Sequence, residues 1–289
     1  MKNAFNFNCG LLLWVLSCSV AAAQSATPPC PEAPSYGNDA NAGQFAKVNG
    51  ISLYYEIHGE GPPLVLIHGN GGSINGTRCQ IAYFSQSRRV IVADSRSHGR
   101  SDAGSGRLTF EQIADDLSAL LRELRIDASD VWGHSDGGIV ALLLAIRHPG
   151  QVRKVIASSA NLRPDDTALT SSFINGVRKG AATASDMIKA GDHSQDWVRR
   201  KRQLDLMLEE PHITAADLRK ITAPTLVIGA DADIMPNAHT LEIFNGISSA
   251  QLFIMPGATH RMPSAEHDLY NSIVARFLDR PVAGSTEQR

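Results

Sequence analysis

The sequence predicts an α/β fold in which a mostly parallel sheet is covered on both faces by helices. Short, continuous apolar runs such as Pro63–Ile67 and Arg89–Ala93 are typical of strands buried on both faces. Segments with helical spacing follow these runs, and a strand, helix, strand order favours parallel pairing. The chain has 289 residues, 43% of them hydrophobic, which is enough for one large domain with a modest insertion.

The amino-terminal residues are typical of an export signal. Lys2 precedes an apolar stretch, residues 11–20, that is too short to cross a bilayer as a permanent helix. Three alanines then predict cleavage after Ala23, so that residues 1–23 form a signal peptide. In an alternative interpretation, residues 15–18 form a lipoprotein box that anchors the chain at Cys18. We therefore expect an exported protein, either periplasmic or secreted.

After the signal, residues 24–43 are rich in proline and small residues and predict an extended linker. Cleavage leaves Cys30 and Cys79, which an oxidising compartment permits to bond, although the sequence does not decide whether they do. From residue 45 to residue 58, alternating polar and apolar positions around Asn49 and Gly50 predict a hairpin at the edge of the sheet.

Three elements follow the hairpin. The predicted strand Pro63–Ile67 leads into a glycine-rich loop, residues 68–72, and Arg89–Ala93 leads into a polar turn, residues 94–101. Thr109 and Gln112 have the spacing of a capping box and predict the start of an amphipathic helix.

A nucleophile motif comes next. Residues 133–137, GHSDG, fit G-x-S-x-G and lie between a short apolar run and an apolar helix that ends before Pro149. In such a strand, turn, helix arrangement the serine, Ser135, is held out at the end of a strand. Flanking glycines are needed because a Cβ there would collide with the neighbouring strand and helix. The helix also directs the N–H of Asp136 toward the same point.

The second half of the chain contains an insertion and two candidate catalytic positions. Residues 161–220 are more polar and predict a small helical lid, whereas 44–160 and 221–280 form the core and 281–289 a polar tail. A nucleophilic serine needs a base, and the base needs an acid. Asp231 and Asp233 follow a predicted strand that ends at Ile228, and His260 follows one that ends at Met255.

Taken together, these motifs resemble the α/β-hydrolase family. The resemblance covers roughly residues 45–278 through HGNGG, DSRSHGRS, GHSDGG, GADADIMP and PGATH, and it is strongest to lidded serine esterases and biphenyl-hydrolase-like enzymes that carry GxSDGG. It implies an α/β-hydrolase fold, with Ser135 as nucleophile, Asp233 as acid and His260 as base. It also implies that the backbone N–H groups of Asn70 and Asp136 form the oxyanion hole.

The resemblance leaves two positions open. The family's glycine three residues before the acid is replaced by Ala230, and the register of the strand favours Asp233 over Asp231. The carboxylate of Asp136 either faces solvent or helps to select a cationic group of the substrate.

The resemblance implies a serine hydrolase that cleaves a carboxylic ester or a related acyl bond. Alternatives are carbon–carbon bond hydrolysis of dienone acids, acyl transfer, and ligand binding with little turnover. The net charge of −2 argues against nucleic acid as the main partner, and the one cationic run, residues 199–202, is expected to be a solvated helix face. The histidines lack metal-binding spacing, so neither a metal nor a cofactor is expected. The sequence does not identify the substrate or the oligomeric state.

Overall fold

The computed structural model describes residue 30 and residues 36–281 of the chain. The predicted signal peptide with Cys18, most of the predicted linker and nearly all of the predicted tail lie outside the described residues. Within residues 36–281, no helix is long and apolar enough to cross a membrane.

One sheet of eight strands organises the described residues. In chain order the strands are β1 (Gly43–Val48), β2 (Ile51–His58), β3 (Pro63–Ile67), β4 (Arg89–Ala93), β5 (Ser129–His134), β6 (Val152–Ser158), β7 (Thr225–Ala232) and β8 (Ala250–Thr259). Across the sheet their order is β1-β2-β4-β3-β5-β6-β7-β8. The pairs β1–β2 and β2–β4 are antiparallel, and every other pair is parallel. The predicted mostly parallel sheet is confirmed.

Helices cover both faces of this sheet. They are α1 (Arg78–Phe84), α2 (Phe110–Glu123), α3 (Asp136–Arg147), α4 (Ser171–Lys189), α5 (Trp197–Glu209), α6 (Ala215–Leu218), α7 (Asn237–Gly246), α8 (Met262–Ala265) and α9 (His267–Asp279). Thr109 caps α2 by accepting from the N–H of Gln112, whose side chain in turn accepts from the N–H of Thr109. The sequence did not predict α1, whose seven residues are too few to show a helical period.

The hydrophobic core lies in two layers, one on each face of the sheet. Val65 and Val131 belong to the layer under α2 and α3, whereas Leu66 and Trp132 belong to the layer under α1 and α9. Successive side chains of a strand point to opposite faces, so a strand covered on both faces must be apolar at every position. This geometry explains the continuous apolar runs of the sequence.

Strands β7 and β8 extend further than the sequence predicts. Their pairing continues past a register shift to Ala232 and Thr259, beyond the predicted ends at Ile228 and Met255. Both strands are adjacent and parallel, so the residues that follow them leave the sheet at the same edge. This extension brings the loops of Asp233 and His260 together.

The two long helices of the predicted lid, α4 and α5, lie between β6 and β7 in the chain and pack on each other through Val177, Ala181 and Leu204. The prediction that residues 199–202 form a solvated helix face holds only in part, because all four residues are half-buried. Arg199 Nη1 donates to Gly99 O at 2.9 Å, and Arg202 donates to the backbone oxygens of Gly104 and Gly106. Two arginines of the run therefore fasten α5 to a core loop.

A disulfide joins Cys30 to Cys79, with their Cα atoms 5.2 Å apart. Cys79 lies on α1, and both cysteines are buried. The bond that the sequence left undecided thus attaches the segment before β1 to the core.

Candidate active site

Ser135 lies at the sharp turn between β5 and α3. Its backbone has φ 57° and ψ −126°, a region that residues other than glycine rarely occupy. A Cβ at Gly133 would overlap the backbone of Gly137, and a Cβ at Gly137 would overlap the carbonyl of Ile67 on β3. Both glycines are therefore needed for the close approach of strand and helix that presents Ser135.

The structure brings Ser135, His260 and Asp233 together. Ser135 Oγ lies 3.1 Å from His260 Nε2, and His260 Nδ1 lies 2.7 Å from Asp233 Oδ1. With the Nδ1 proton donated to the carboxylate, Nε2 faces the serine hydroxyl as an acceptor. This is the arrangement in which an imidazole can take a proton from a nucleophilic serine.

Asp233 is held by further donors. Ser159 Oγ donates to Asp233 Oδ2 at 2.5 Å, and the N–H of Ile234 donates to Oδ1 at 2.7 Å. Burial alone would raise the pKa of Asp233, but the hydrogen bond and charge of His260, with the Ser159 hydroxyl, lower it below its ordinary value. The carboxylate therefore stays ionised beside the histidine.

Asp231, the alternative acid, lies elsewhere. Its side chain is exposed and accepts from the N–H of Gly257 at 2.9 Å, with no contact to His260. Of the two candidates, the structure places only Asp233 against the histidine.

The two backbone N–H groups that are predicted to form the oxyanion hole, those of Asn70 and Asp136, have no acceptor among the described residues. Asp136 is the first residue of α3, so its N–H has no acceptor within the helix. The N–H of Asn70 in the loop after β3, the oxyanion loop (residues 68–72), donates to no described residue. Both loops leave the carboxyl edge of the sheet beside Ser135, since β3 pairs directly with β5.

The side chain of Asp136 points into the protein, not to solvent. It is only 8% exposed, and its Oδ2 accepts from Asn70 Nδ2 at 2.8 Å. The same amide nitrogen donates to the backbone oxygen of Gln203 on α5 at 2.9 Å. Burial raises the pKa of Asp136 to about 6, against the opposing hydrogen bond from Asn70. Asp136, Asn70 and Gln203 thus connect the nucleophile turn, the oxyanion loop and the lid.

Two further histidines border the site and are not members of the predicted triad. His134 packs on His260 with ring centroids 4.8 Å apart, and its Nδ1 lies 3.1 Å from Ser158 Oγ. Burial, together with electrostatic repulsion between the two imidazoles when both carry a proton, lowers the pKa of His134 to about 3. His68 Nε2 accepts from the N–H of Ser95, and burial lowers the pKa of its ring. Both rings are neutral at pH 7 and serve as packing groups.

A cavity of about 720 Å³ opens in front of Ser135 and His260, which both line it. Phe173, Leu204 and Met207 of the lid helices supply part of its apolar wall. A pocket of this size accommodates a small organic molecule. In the described residues, no group of three or more His, Cys, Asp or Glu side chains is arranged to hold a metal ion.

Sequence analysis missed four residues of this site. Ser159 had a signal, because it directly follows a buried strand at the same sheet edge as Ser135. No sequence signal pointed to the other three, Gln203, Arg200 and Arg261. Only the packing of α5 and the turn after β8 places them at the site.

Known proteins resemble the chain along most of its length. A sequence profile of the alpha/beta hydrolase fold matches residues 62–182. Serine hydrolase BPHL of Mus musculus is 27% identical over 267 residues, which cover 87% of this chain and 91% of that protein. Putative carbamate hydrolase RutD of Azorhizobium caulinodans is 33% identical over 121 residues, covering 42% of this chain and 46% of that protein.

A solved structure shows the same fold. The enol-lactonase from Burkholderia xenovorans LB400 superposes with a TM-score of 0.67 at 23% sequence identity, over 82% of this chain and all (100%) of that one. At this identity the likeness concerns the fold alone.

Proposed function

Because the chain belongs to the α/β-hydrolase family, we propose that it cleaves a carboxylic ester or a related acyl bond through Ser135. The observation that supports this most directly is the continuous hydrogen-bonded path from Asp233 through His260 to Ser135 Oγ. The cavity in front of this path provides room for a small-molecule substrate.

In the proposed first half-reaction, Ser135 Oγ attacks the carbonyl carbon while His260 Nε2 takes the hydroxyl proton. The carbonyl oxygen becomes an oxyanion that accepts from the N–H groups of Asn70 and Asp136. Collapse of this intermediate breaks the bond to the alcohol, which leaves with the proton from His260. The product is an acyl-enzyme on Ser135.

In the second half-reaction, water replaces the alcohol. His260 takes a proton from water as its oxygen attacks the acyl carbon, and the proton then returns to Ser135 Oγ as the acid departs. Asp233 stabilises the imidazolium in both halves because it remains ionised. Serine, water and ester account for every atom, so the proposal needs no cofactor.

The relatives support this class of chemistry. One is named a serine hydrolase, another a putative carbamate hydrolase, and a protein of the same fold is an enol-lactonase. Ester, carbamate and lactone hydrolysis share a tetrahedral oxyanion, which the N–H groups of Asn70 and Asp136 would stabilise under this proposal.

The first experiment is fluorophosphonate labelling of the mature protein, beside hydrolysis of a short p-nitrophenyl ester. We expect the wild type to label and to turn over, and Ser135→Ala to lose both, whereas Ser272→Ala, an exposed serine on α9, retains both. A folded wild type that neither labels nor hydrolyses any ester would contradict the proposal and would favour a ligand-binding role.

We also propose that the protein is exported, with cleavage after Ala23. The amino-terminal sequence and the Cys30–Cys79 disulfide support this, because disulfides persist mainly in oxidising compartments. Mass spectrometry of the exported protein should find Gln24 at its amino terminus. A lipid-modified Cys18 there would replace this proposal with the lipoprotein alternative.

The suggested role of Asp136 in selecting a cationic substrate group stays a prediction. Its carboxylate is engaged by Asn70 and does not line the main cavity, which argues for positioning of the oxyanion loop instead. If the cationic role holds, Asp136→Asn slows positively charged esters selectively. An equal loss on neutral and cationic esters would reject it.

A further inference from the structure

Two arginines face the catalytic cavity without a partner. Arg200 on α5 and Arg261, the residue after His260, both line the cavity. Neither guanidinium forms a hydrogen bond or ion pair with a described residue. No described Asp or Glu lines the same cavity, so its formal charges are positive.

The other cationic residues of the run on α5 all have structural partners, unlike Arg200. Each is engaged by a backbone oxygen or a carboxylate of the chain. The contacts are Arg199 to Gly99 O at 2.9 Å, Lys201 to Asp205 at 2.6 Å, and Arg202 to Gly104 O at 3.2 Å and Gly106 O at 2.9 Å. The contacts that hold α5 in place therefore do not involve Arg200, which is the residue of this run that lines the cavity.

Both arginines line the same cavity as Ser135 and His260. Arg200 lies over the oxyanion loop, because a Cβ at Gly71 would be 2.8 Å from its Nη1. Gly71 directly follows Asn70, and Arg261 directly follows His260. Arg200 is half-buried and Arg261 is exposed. The hydration that the Arg200 guanidinium loses can be restored by an anionic or polar partner in the cavity. The planar donors of a guanidinium match a carboxylate in a two-point hydrogen bond.

Resting on the hydrolysis proposed above, we infer that the natural substrate is an ester or lactone that also carries a carboxylate, which Arg200 and Arg261 receive. The carboxylate fits the charge of the cavity, and the apolar wall from α4 and α5 accommodates the carbon chain between the two groups. The two arginines act in recognition, while Ser135, His260 and the backbone N–H groups carry the chemistry.

Matched substrate pairs test this inference. In each pair a carboxylate is exchanged for a neutral primary amide of nearly the same shape: 4-acetoxybenzoate with 4-acetoxybenzamide, and monomethyl adipate with methyl adipamate. For the wild type we expect kcat/KM to favour the carboxylate by about tenfold or more in at least one pair, as charge-assisted hydrogen bonds predict. The preference should shrink in 0.5 M NaCl, which screens charges on this scale.

Variants of the two arginines test whether they are the residues that bind the carboxylate. Arg200→Gln and Arg261→Gln should each lower the carboxylate-to-amide ratio by about tenfold, mainly through KM. Lys179→Gln, an exposed position on α4, removes the same charge outside the cavity and should leave the ratio unchanged. The ratio within one variant cancels any general loss of activity.

Two outcomes separate the inference from the function on which it rests. A wild type that hydrolyses the amide members as well as or better than the carboxylates, with no effect of salt, would overturn the inference and leave the hydrolase proposal intact. A folded protein that hydrolyses none of the esters and does not label with fluorophosphonate would overturn the hydrolase proposal itself.

Discussion

At the scale of single residues, the hydrogen bond from His260 to Asp233 determines which nitrogen faces the serine. Asp233→Asn would put an amide donor or a weaker acceptor against Nδ1 and favour the wrong tautomer. We expect kcat to fall by about 10⁴-fold, the loss typical of this change in a serine triad. Asp231→Asn, which alters the neighbouring exposed carboxylate, is the matched control.

Steady-state kinetics on a p-nitrophenyl ester measure both variants. Asp231→Asn should change kcat by less than about threefold, since surface substitutions have small effects. A larger loss in Asp231→Asn than in Asp233→Asn would reverse the assignment of the acid.

The buried carboxylate of Asp136 predicts how the free energy of unfolding depends on pH. Its raised pKa of about 6 means that the folded protein binds this proton more tightly than the unfolded chain. The folded state therefore loses stability as pH rises from about 4 through about 6, by roughly 3 kcal/mol at most. Asp136→Asn removes this loss and keeps an oxygen that can accept from Asn70.

Urea unfolding of both proteins at pH 4.5 and pH 7.5 tests this prediction. The free energy of unfolding of Asp136→Asn, relative to wild type, should be higher at the upper pH. A pH-independent difference would contradict it, because all other titrating groups are common to the two proteins.

Much of the proposed catalytic set could be predicted from the sequence, because each member follows a strand whose end the apolar pattern reveals. Ser135, Asp233 and His260 each follow a parallel strand. The carboxyl ends of these strands lie at one edge of the sheet, so residues that are distant in the chain come close together. The sequence could not show that the Asp136 side chain turns toward Asn70. That orientation depends on the lid, whose Gln203 carbonyl completes the contact.

At the scale of elements, α5 connects the lid to the catalytic loops. Gln203 Nε2 donates to Ser97 O at 2.7 Å, and the Gln203 carbonyl accepts from Asn70. Gln203→Ala leaves the buried Ser97 oxygen without this donor, a loss of about 1–3 kcal/mol. We expect faster amide hydrogen exchange in α5 and a lower kcat, because the oxyanion loop loses a fixed support.

Lys201→Ala provides the control on the same helix. Its ion pair with Asp205 is partly exposed and contributes about 0.5 kcal/mol or less. Hydrogen-exchange mass spectrometry of both variants should show the increase only for Gln203→Ala. Equal exchange in the two would mean that α5 is not held through Gln203.

Sequence patterns predicted the long helices and strands well. They failed for elements that are short or whose surroundings are determined by tertiary contacts. The amphipathic period and capping box of α2 identify it without a structure. The cationic run on α5 looked solvated because its partners, backbone oxygens of residues 99–106, are distant in the chain and carry no sequence signal. The extra length of β7 and β8 likewise comes from their mutual pairing.

At the scale of the whole molecule, the disulfide joins Cys30 to Cys79 on α1, residues 49 positions apart in the chain. Closing a loop of this length restricts the unfolded chain and stabilises the fold by about 2–4 kcal/mol. The double variant Cys30→Ala, Cys79→Ala should lose this amount in urea unfolding. Dithiothreitol should lower the stability of the wild type toward that of the variant and leave the variant unchanged.

The architecture as a whole could be predicted because buried parallel strands leave a pattern that few other folds share. Two apolar layers, one on each face, require uninterrupted apolar strands with amphipathic helices between them. The pairing of the two cysteines could not be predicted, since it depends on the position of Cys30 beside α1.

The backbone of Ser135 also has an evolutionary consequence. A serine at φ 57° and ψ −126° costs the fold about 1–3 kcal/mol that glycine would avoid. Ser135→Gly should therefore unfold at higher urea than Ser135→Ala, while both are inactive. A lineage released from the need for turnover would gain stability by drifting to glycine at this position. Serine in so unfavourable a conformation is what selection for turnover, and not for ligand binding alone, would maintain.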